Sequence, residues 1–340
     1  MRIGLLTGGG DCPGLNAVIR AVVRRAEKEQ GDTVIGFRNG WRGMAEGDIV
    51  DLSVDSTRGL VTRGGTVLGT ARYHPHEHPD GIGMVFESFK RNRLDAVVCV
   101  GGDGTLAAAG ELSDAGLPMV GVPKTIDNDV AGTDVSVGFD TAVEIAADAL
   151  DRVQTTGESH NRVMVVEVMG RHNGWIALSA GIAAGAEAIL IPEDPFDIEE
   201  LAKTLVHRHR RARSSVVVVA EGAAPHEGTI DWTPPTGKFG SIVAGAVGEL
   251  VRSELEQRTG FDSRLTVLGH IQRGGTPTPT DRILGSRFGV AAVDAVRAGD
   301  SGVMVALQSD EVVRVPIAQI AGRRKEVPAD LVEVARSLTV

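Results

Sequence analysis

Apolar residues along the chain fall into short unbroken runs, separated by longer stretches in which they recur every three or four positions. The runs at Arg2–Thr7, Thr33–Phe37, Ala96–Val100, Pro118–Val122, Val163–Val168, Ala188–Ile191, Ser215–Ala220 and Leu265–Leu268 show little polar alternation. That pattern predicts parallel strands covered on both faces. Gly14–Glu29, Thr105–Ala115, Phe139–Thr155, Ile198–Arg211 and Ser241–Thr259 carry the spacing of amphipathic helices. The alternation of the two predicts an α/β fold with doubly wound sheets. In such sheets ligands gather at the carboxyl ends of the strands, where this chain has its polar, glycine-rich loops.

At 340 residues the chain is long for one hydrophobic core, so two domains are expected, with a boundary near residue 138. Composition is that of an ordinary globular protein, 42% hydrophobic and 24% charged. No apolar run is long enough to span a membrane. The N-terminal MRIGLLTGGGDCPG breaks into glycines and an aspartate, so it reads as a buried strand feeding a loop, not as a leader. A net charge of −10 without a long basic block argues against a nucleic-acid partner. The cluster His207–Arg213 reads first as the solvated end of a helix, where cations suit the helix dipole, ahead of a nucleic-acid patch and, further behind, an effector site. One tyrosine and 4% aromatics offer no stacking platform for single strands. Cys12 and Cys99 are far apart and fit no metal spacing; a reducing, cytoplasmic compartment suits them best.

Three strand-end loops carry candidate chemistry. Gly8-Gly9-Gly10-Asp11-Cys12-Pro13-Gly14-Leu15-Asn16 opens a helix, with Pro13 expected in its first turn, and its backbone amides could attract a phosphate or merely make a tight turn. It is neither GxGxxG nor a P-loop. In Gly101-Gly102-Asp103-Gly104-Thr105 the amides can wrap a phosphate chain and Asp103 can hold Mg²⁺, or Asp103 can simply cap a helix. Pro123-Lys124-Thr125-Ile126-Asp127-Asn128-Asp129 offers two carboxylates, one for a proton and one for a cation, though a surface turn would also look like this. Arg171 with His172, and His270 with Arg273, follow two further apolar runs and suit an anion.

GGGDCPGLN, GGTVLGTAR (Gly64–Arg72), GGDGT, PKTIDND, VEVMGR (Val166–Arg171) and LGHIQRGG (Leu268–Gly275) occur in the order and rough spacing of the 6-phosphofructokinases. On these motifs, from Met1 to about residue 300, the chain resembles an actinobacterial-type member of that family. The resemblance implies two mainly parallel-sheet, Rossmann-like domains with the active site between them. Residues 1–138 plus about 272–320 would be the larger, ATP-binding domain, and about 139–271 plus 321–340 the smaller, sugar-phosphate domain. It implies an enzyme of glycolysis that phosphorylates fructose 6-phosphate at O1, with Mg²⁺ as cofactor. Gly10, Arg72, Tyr73, Gly102, Asp103, Gly104 and Thr105 match the ATP site, Asp103 being the Mg²⁺-linked acid. Thr125 and Asp127 match substrate contacts, with Asp127 as the base for the 1-hydroxyl and Asp129 assisting it or the metal. Met169, Gly170 and Arg171 match the sugar side, Arg171 also facing the transferred phosphoryl group, and Glu221 matches a sugar-hydroxyl contact. Arg162, Arg264, His270 and Arg273 match the cage around the 6-phosphate. In the family Arg162 and Arg264 come from a neighbouring subunit, which implies a homo-oligomer, usually a tetramer.

The sequence departs from the familiar bacterial pattern in two places. Lys124 replaces the glycine of PGTIDND, and only Arg20, Arg24 and Glu187 match the effector site, Gln154 standing where an arginine is usual. In the pyrophosphate-dependent branch the second loop resembles GGDD or GGED, with a carboxylate where the α-phosphate of ATP would lie. Gly104 is expected to leave that space open and so to favour ATP, with pyrophosphate as the alternative. Lys124 occurs with either donor. GGDGT alone also occurs in NAD kinases and diacylglycerol kinases, but without the other motifs. A sugar-phosphate sensor without catalysis is the remaining alternative, and it would have no need of a base such as Asp127.

Overall fold

The computed structural model describes residues 1–209, 214–237 and 243–339. Arg210–Arg213 of the cationic cluster, and the first two residues of the helix expected from Ser241, lie outside them. In chain order the elements are β1 (Arg2–Thr7), α1 (Leu15–Gln30), β2 (Thr33–Phe37), α2 (Trp41–Glu46), β3 (Ile49–Leu52), α3 (Gly81–Arg91), β4 (Ala96–Gly101), α4 (Asp103–Asp114), β5 (Met119–Pro123) and α5 (Phe139–His160). There follow β6 (Val163–Val168), α6 (Trp175–Ala184), β7 (Ala188–Leu190), α7 (Ile198–His209), β8 (Ser215–Ala220), α8 (Ala246–Thr259) and β9 (Ser263–Val267). The chain closes with α9 (Pro279–Ala298), β10 (Val303–Gln308), β11 (Glu311–Pro316), α10 (Ile317–Ile320) and α11 (Ala329–Leu338).

The chain divides into two compact units, Met1–Thr141 with Arg273–Lys325, and Ala142–Gln272 with Glu326–Val340. The first is built on a seven-stranded sheet of order β11-β10-β5-β4-β1-β2-β3. Its five inner strands run parallel, and β3 and β11 are antiparallel edges. β1, β4 and β5 are almost wholly buried, as their unbroken apolar runs require. Leu6, Phe37, Trp41, Val97, Leu106 and Met304 lie in one core of this unit. The second unit holds a four-stranded, all-parallel sheet of order β7-β8-β6-β9, with Val165, Val217, Leu205 and Val251 in its core. No helix among the described residues is long and apolar enough to cross a membrane.

Several expectations need correction. Pro13 does not enter α1, which starts at Leu15 behind Gly14 in a left-handed conformation. The last expected strand is shifted to Ser263–Val267, so Leu268 lies beyond it. β3 and β11 were not expected: each is half exposed, as edge strands are, and neither presents an unbroken apolar run.

One buried ion cluster ties the chain's start to α9. Asp32 is 4% exposed and accepts from the Met1 ammonium at 2.6 Å and from the Arg297 guanidinium. Burial alone would raise its pKa; the two cations outweigh that and hold it below the usual carboxylate value. A depressed pKa contributes stability above the unfolded-state value, and that contribution is lost as pH falls through the folded one. Asp32→Asn is therefore expected to cost about 1–3 kcal/mol at pH 7, the partly exposed partners keeping it below the full cost of a broken buried pair. In urea melts the gap between wild type and variant should close as pH falls below about 4. A gap that persists there contradicts the assignment.

Candidate functional site

β1, β4 and β5 are adjacent and parallel, so their carboxyl ends bring the three polar loops of the first unit side by side. Gly8 N donates to Val100 O at 2.9 Å and Lys124 N to Gly101 O at 3.0 Å, stitching each loop to the next. The buried Thr105 is wedged between the first two. A Cβ at Gly8 would stand 2.5 Å from its Oγ1, and one at Gly101 would stand 2.3 Å from its Cβ. Two glycines are thus required by one threonine. Asp103 does not cap α4: the N-cap is Gly102, with no side-chain cap, and Asp103 is the first helical residue.

A cavity of about 310 Å³ opens over these loops. Gly10, Arg72, Tyr73, Gly102, Asp103, Gly104, Thr105, Lys124, Thr125, Asp127 and Arg273, drawn from distant parts of the sequence, all line it. So do Asp11, Ile126 and His74, which the sequence reading did not assign. His74 also overturns one expectation. The space beside Gly104 is not open, since a Cβ there would meet the His74 imidazole, with Cε1 at 2.7 Å. No spacing rule pointed to this contact, because position 74 belongs to an irregular loop after the Gly64–Arg72 motif.

The loop after β5 is held rigidly. Asn128 adopts a left-handed φ of 52°, tolerable for asparagine, and is buried. Its Oδ1 accepts from Ser136 N at 3.0 Å, and Ser136 Oγ donates to Thr125 O at 2.7 Å. Asp127 N donates to Thr125 Oγ1 at 3.2 Å, and Lys325 N donates to Asp129 O at 2.8 Å. The two carboxylates are thereby fixed on either side of a buried asparagine.

The electrostatics of the cavity are strongly biased. Burial pushes the Asp103 carboxyl up to about 6, Asp129 adds to the rise, and Arg324 opposes it. A buried carboxyl raised in part by a second carboxylate is a place where a cation would be welcome. Mg²⁺ binds through one or two carboxylates together with waters and substrate phosphates, so Asp103 and Asp129 suit it. Among the described residues no cluster of three or more acidic, His or Cys side chains offers a complete protein cage. Lys124 is 3% exposed, and its Nζ donates to Gly10 O at 2.5 Å. Burial lowers its pKa, while Asp11 and Asp127 pull the other way. Lys124 is thus a tie between the first and third loops as well as a cavity cation. Burial pushes the neighbouring Cys12 thiol up to about 12, which makes it inert.

In the second unit, β8, β6 and β9 end at one edge of the sheet, and Met169, Gly170, Arg171, Glu221 and His270 all stand at or just beyond it. Met169 N donates to the buried Gln272 at 3.4 Å, and Gly222 N donates to Gly170 O at 3.2 Å. Arg162 and Arg264 lie at the other edge, where the same parallel strands begin. Both pair with Asp262, Arg162 Nε at 2.6 Å. Of the residues matched to an effector site, Glu187 is engaged by Arg208 at 2.7 Å and by Val216 N; Gln154, which departs from that pattern, pairs with Glu158 at 3.3 Å.

Backbone amides at a helix start, a cationic wall and a paired carboxylate suit an α/β protein that handles phosphoryl groups. A family profile described as Phosphofructokinase matches residues 2–296. A Streptomyces coelicolor protein named pyrophosphate–fructose 6-phosphate 1-phosphotransferase is 52% identical over 98% of each chain. The same organism's ATP-dependent 6-phosphofructokinase 3 is also 52% identical, over 96% of this chain and 97% of its own. So is the ATP-dependent 6-phosphofructokinase of Mycobacterium tuberculosis, over 96% of each. Among solved structures, Pichia pastoris phosphofructokinase in the T-state superposes with a TM-score of 0.84 at 34% identity, covering 99% of this chain and 36% of that one. The Saccharomyces cerevisiae enzyme superposes at 0.81 and 32%, over 94% of this chain and 45% of the other. This chain therefore spans less than half the length of those two yeast chains. The chain belongs to the phosphofructokinase family.

Proposed function

We propose that the protein transfers the terminal phosphoryl group of ATP to O1 of fructose 6-phosphate, giving fructose 1,6-bisphosphate and ADP. The Asp127 carboxylate accepts the proton of the attacking 1-hydroxyl, Thr125 holds the turn that aims it, and the amides of Gly102–Thr105 receive the donor's phosphates. Gly10, Arg72 and Tyr73 complete the nucleotide side, and Lys124 adds positive charge; Arg273, matched to the 6-phosphate cage, lines the same cavity. Mg²⁺, held by Asp103 with help from Asp129, would neutralise charge on the donor phosphates. Met169, Gly170, Arg171, Glu221 and His270 are assigned to the sugar phosphate, with Arg171 also assigned to the transferring group.

Arg162 and Arg264 are assigned to the 6-phosphate of a neighbouring subunit. Their place where β6 and β9 begin, while His270 lies beyond the end of β9, supports this, since those strands are six and five residues long at roughly 3.3 Å each. A homo-oligomer, a tetramer by family pattern, working in the cytoplasm follows from the same reading.

The observation that carries ATP as donor is Gly104: the loop at the start of α4 has no carboxylate at that position to repel an α-phosphate. Pyrophosphate is the second reading, favoured by a relative of equal identity that bears that name. Fructose 6-phosphate-dependent release of ADP from MgATP by the purified protein is the expected result. Binding of the sugar phosphate with no release under any donor would instead make the protein a sensor.

A further inference from the structure

The contact between His74 and Gly104 gives the cavity a wall that no motif of the sequence assigns. His74 Nε2 and Nδ1 would stand 3.4 and 3.8 Å from a Cβ on Gly104, so the ring lies against the first turn of α4, and His74 lines the same cavity as Gly102–Thr105. The loop that carries it is fixed at several points. His76 Nδ1 reaches Glu111 Oε2, on α4 itself, at 2.9 Å. The rings of Tyr73 and His78 stack at 4.0 Å with an interplanar angle of 4°. His74 O accepts from Glu77 N at 3.0 Å. A histidine held in this way offers at least one ring N–H in either protonation state. It does so beside helix-start amides that favour anions.

We propose that His74 is a donor-recognition residue: its imidazole donates to a phosphate of the phosphoanhydride lying on the Gly102–Thr105 amides. Position 104 then acts on donor choice through His74, since any side chain there must displace the ring. The inference rests on reading this cavity as the donor site. Residues 74 and 104 form one device, and a glycine is needed at 104 to keep the imidazole seated.

A double-mutant cycle tests the pairing, using His74→Ala, Gly104→Ala and the double variant in the full-length enzyme. Steady-state KM is measured for MgATP, for magnesium pyrophosphate and for fructose 6-phosphate. Each single variant is expected to raise the KM of the preferred donor by about 10- to 100-fold, the loss of one hydrogen bond to a charged group. In the His74→Ala background, Gly104→Ala is expected to cost less than about twofold more, because the ring it would displace is gone. The fructose 6-phosphate KM should move far less than the donor KM, and His74→Gln should recover part of the loss. Multiplicative costs of the two substitutions overturn the proposal. So does an unchanged donor KM in His74→Ala, or equal rises in both KM values. A wild-type preference for pyrophosphate would sink the ATP assignment alone, since the cycle is read with whichever donor the wild type prefers.

Discussion

Asp127→Ser is expected to lower kcat for phosphoryl transfer to fructose 6-phosphate by a factor of ~10² or more, the span of a positioned general base. The expectation follows from how the turn is built. Asn128, buried and left-handed, is fastened through Ser136 to the carbonyl of Thr125, and the Asp127 amide closes on the Thr125 hydroxyl. None of these bonds uses the Asp127 carboxylate, so serine should leave the turn standing and remove the proton acceptor. Loss in kcat with little change in the donor's KM is the signature of a group that acts in the transition state. Stopped assays at saturating substrates decide it. A near-normal kcat assigns the base elsewhere, Asp129 being the next carboxylate in the loop.

Gly104→Asp should lower kcat/KM for MgATP on the order of 10². Two like charges about 4 Å apart at an effective dielectric of about 20 repel by about 4 kcal/mol, and solvent screening at an exposed position reduces that. The new side chain must also push aside the His74 ring. Folding should survive, since a carboxylate near a helix start suits the helix dipole. The loss is therefore expected in kinetics and not in the melting temperature. Pyrophosphate, which has no α-phosphate, should lose less. Wild-type MgATP kinetics in this variant would remove the charge argument for the donor.

Much of the fold could be read from the chain because buried parallel strands must be largely apolar, and β1, β2, β4, β6 and β8 are, with Glu167 of β6 the charged exception inside a run. The edge strands escaped because one side of β3 and β11 meets solvent and the apolar run is interrupted. β10 was passed over although Val303–Leu307 is as apolar as the others. α6 is apolar on nearly every side, so it shows no helical stripe to find.

The first unit's share of the site was legible as three glycine-rich loops at strand ends, because close approach of backbones leaves glycine in the sequence. His74 was not legible. Its role depends on an irregular loop folding back on α4, a tertiary contact that leaves no periodicity. Asp281 escaped for a related reason. It is wholly buried and binds Gly138 N at 2.7 Å and Thr141 N at 2.8 Å, more than a hundred residues away in sequence. A lone aspartate inside a helical stretch gives no hint of such partners.

The donor is the central claim, and relatives of equal identity carry both names. The most direct measurement is kcat/KM for MgATP and for magnesium pyrophosphate on the same purified protein, with fructose 6-phosphate saturating. A ratio well above one in favour of MgATP, with stoichiometric ADP, is expected. A ratio below one, with phosphate as the product, would contradict it.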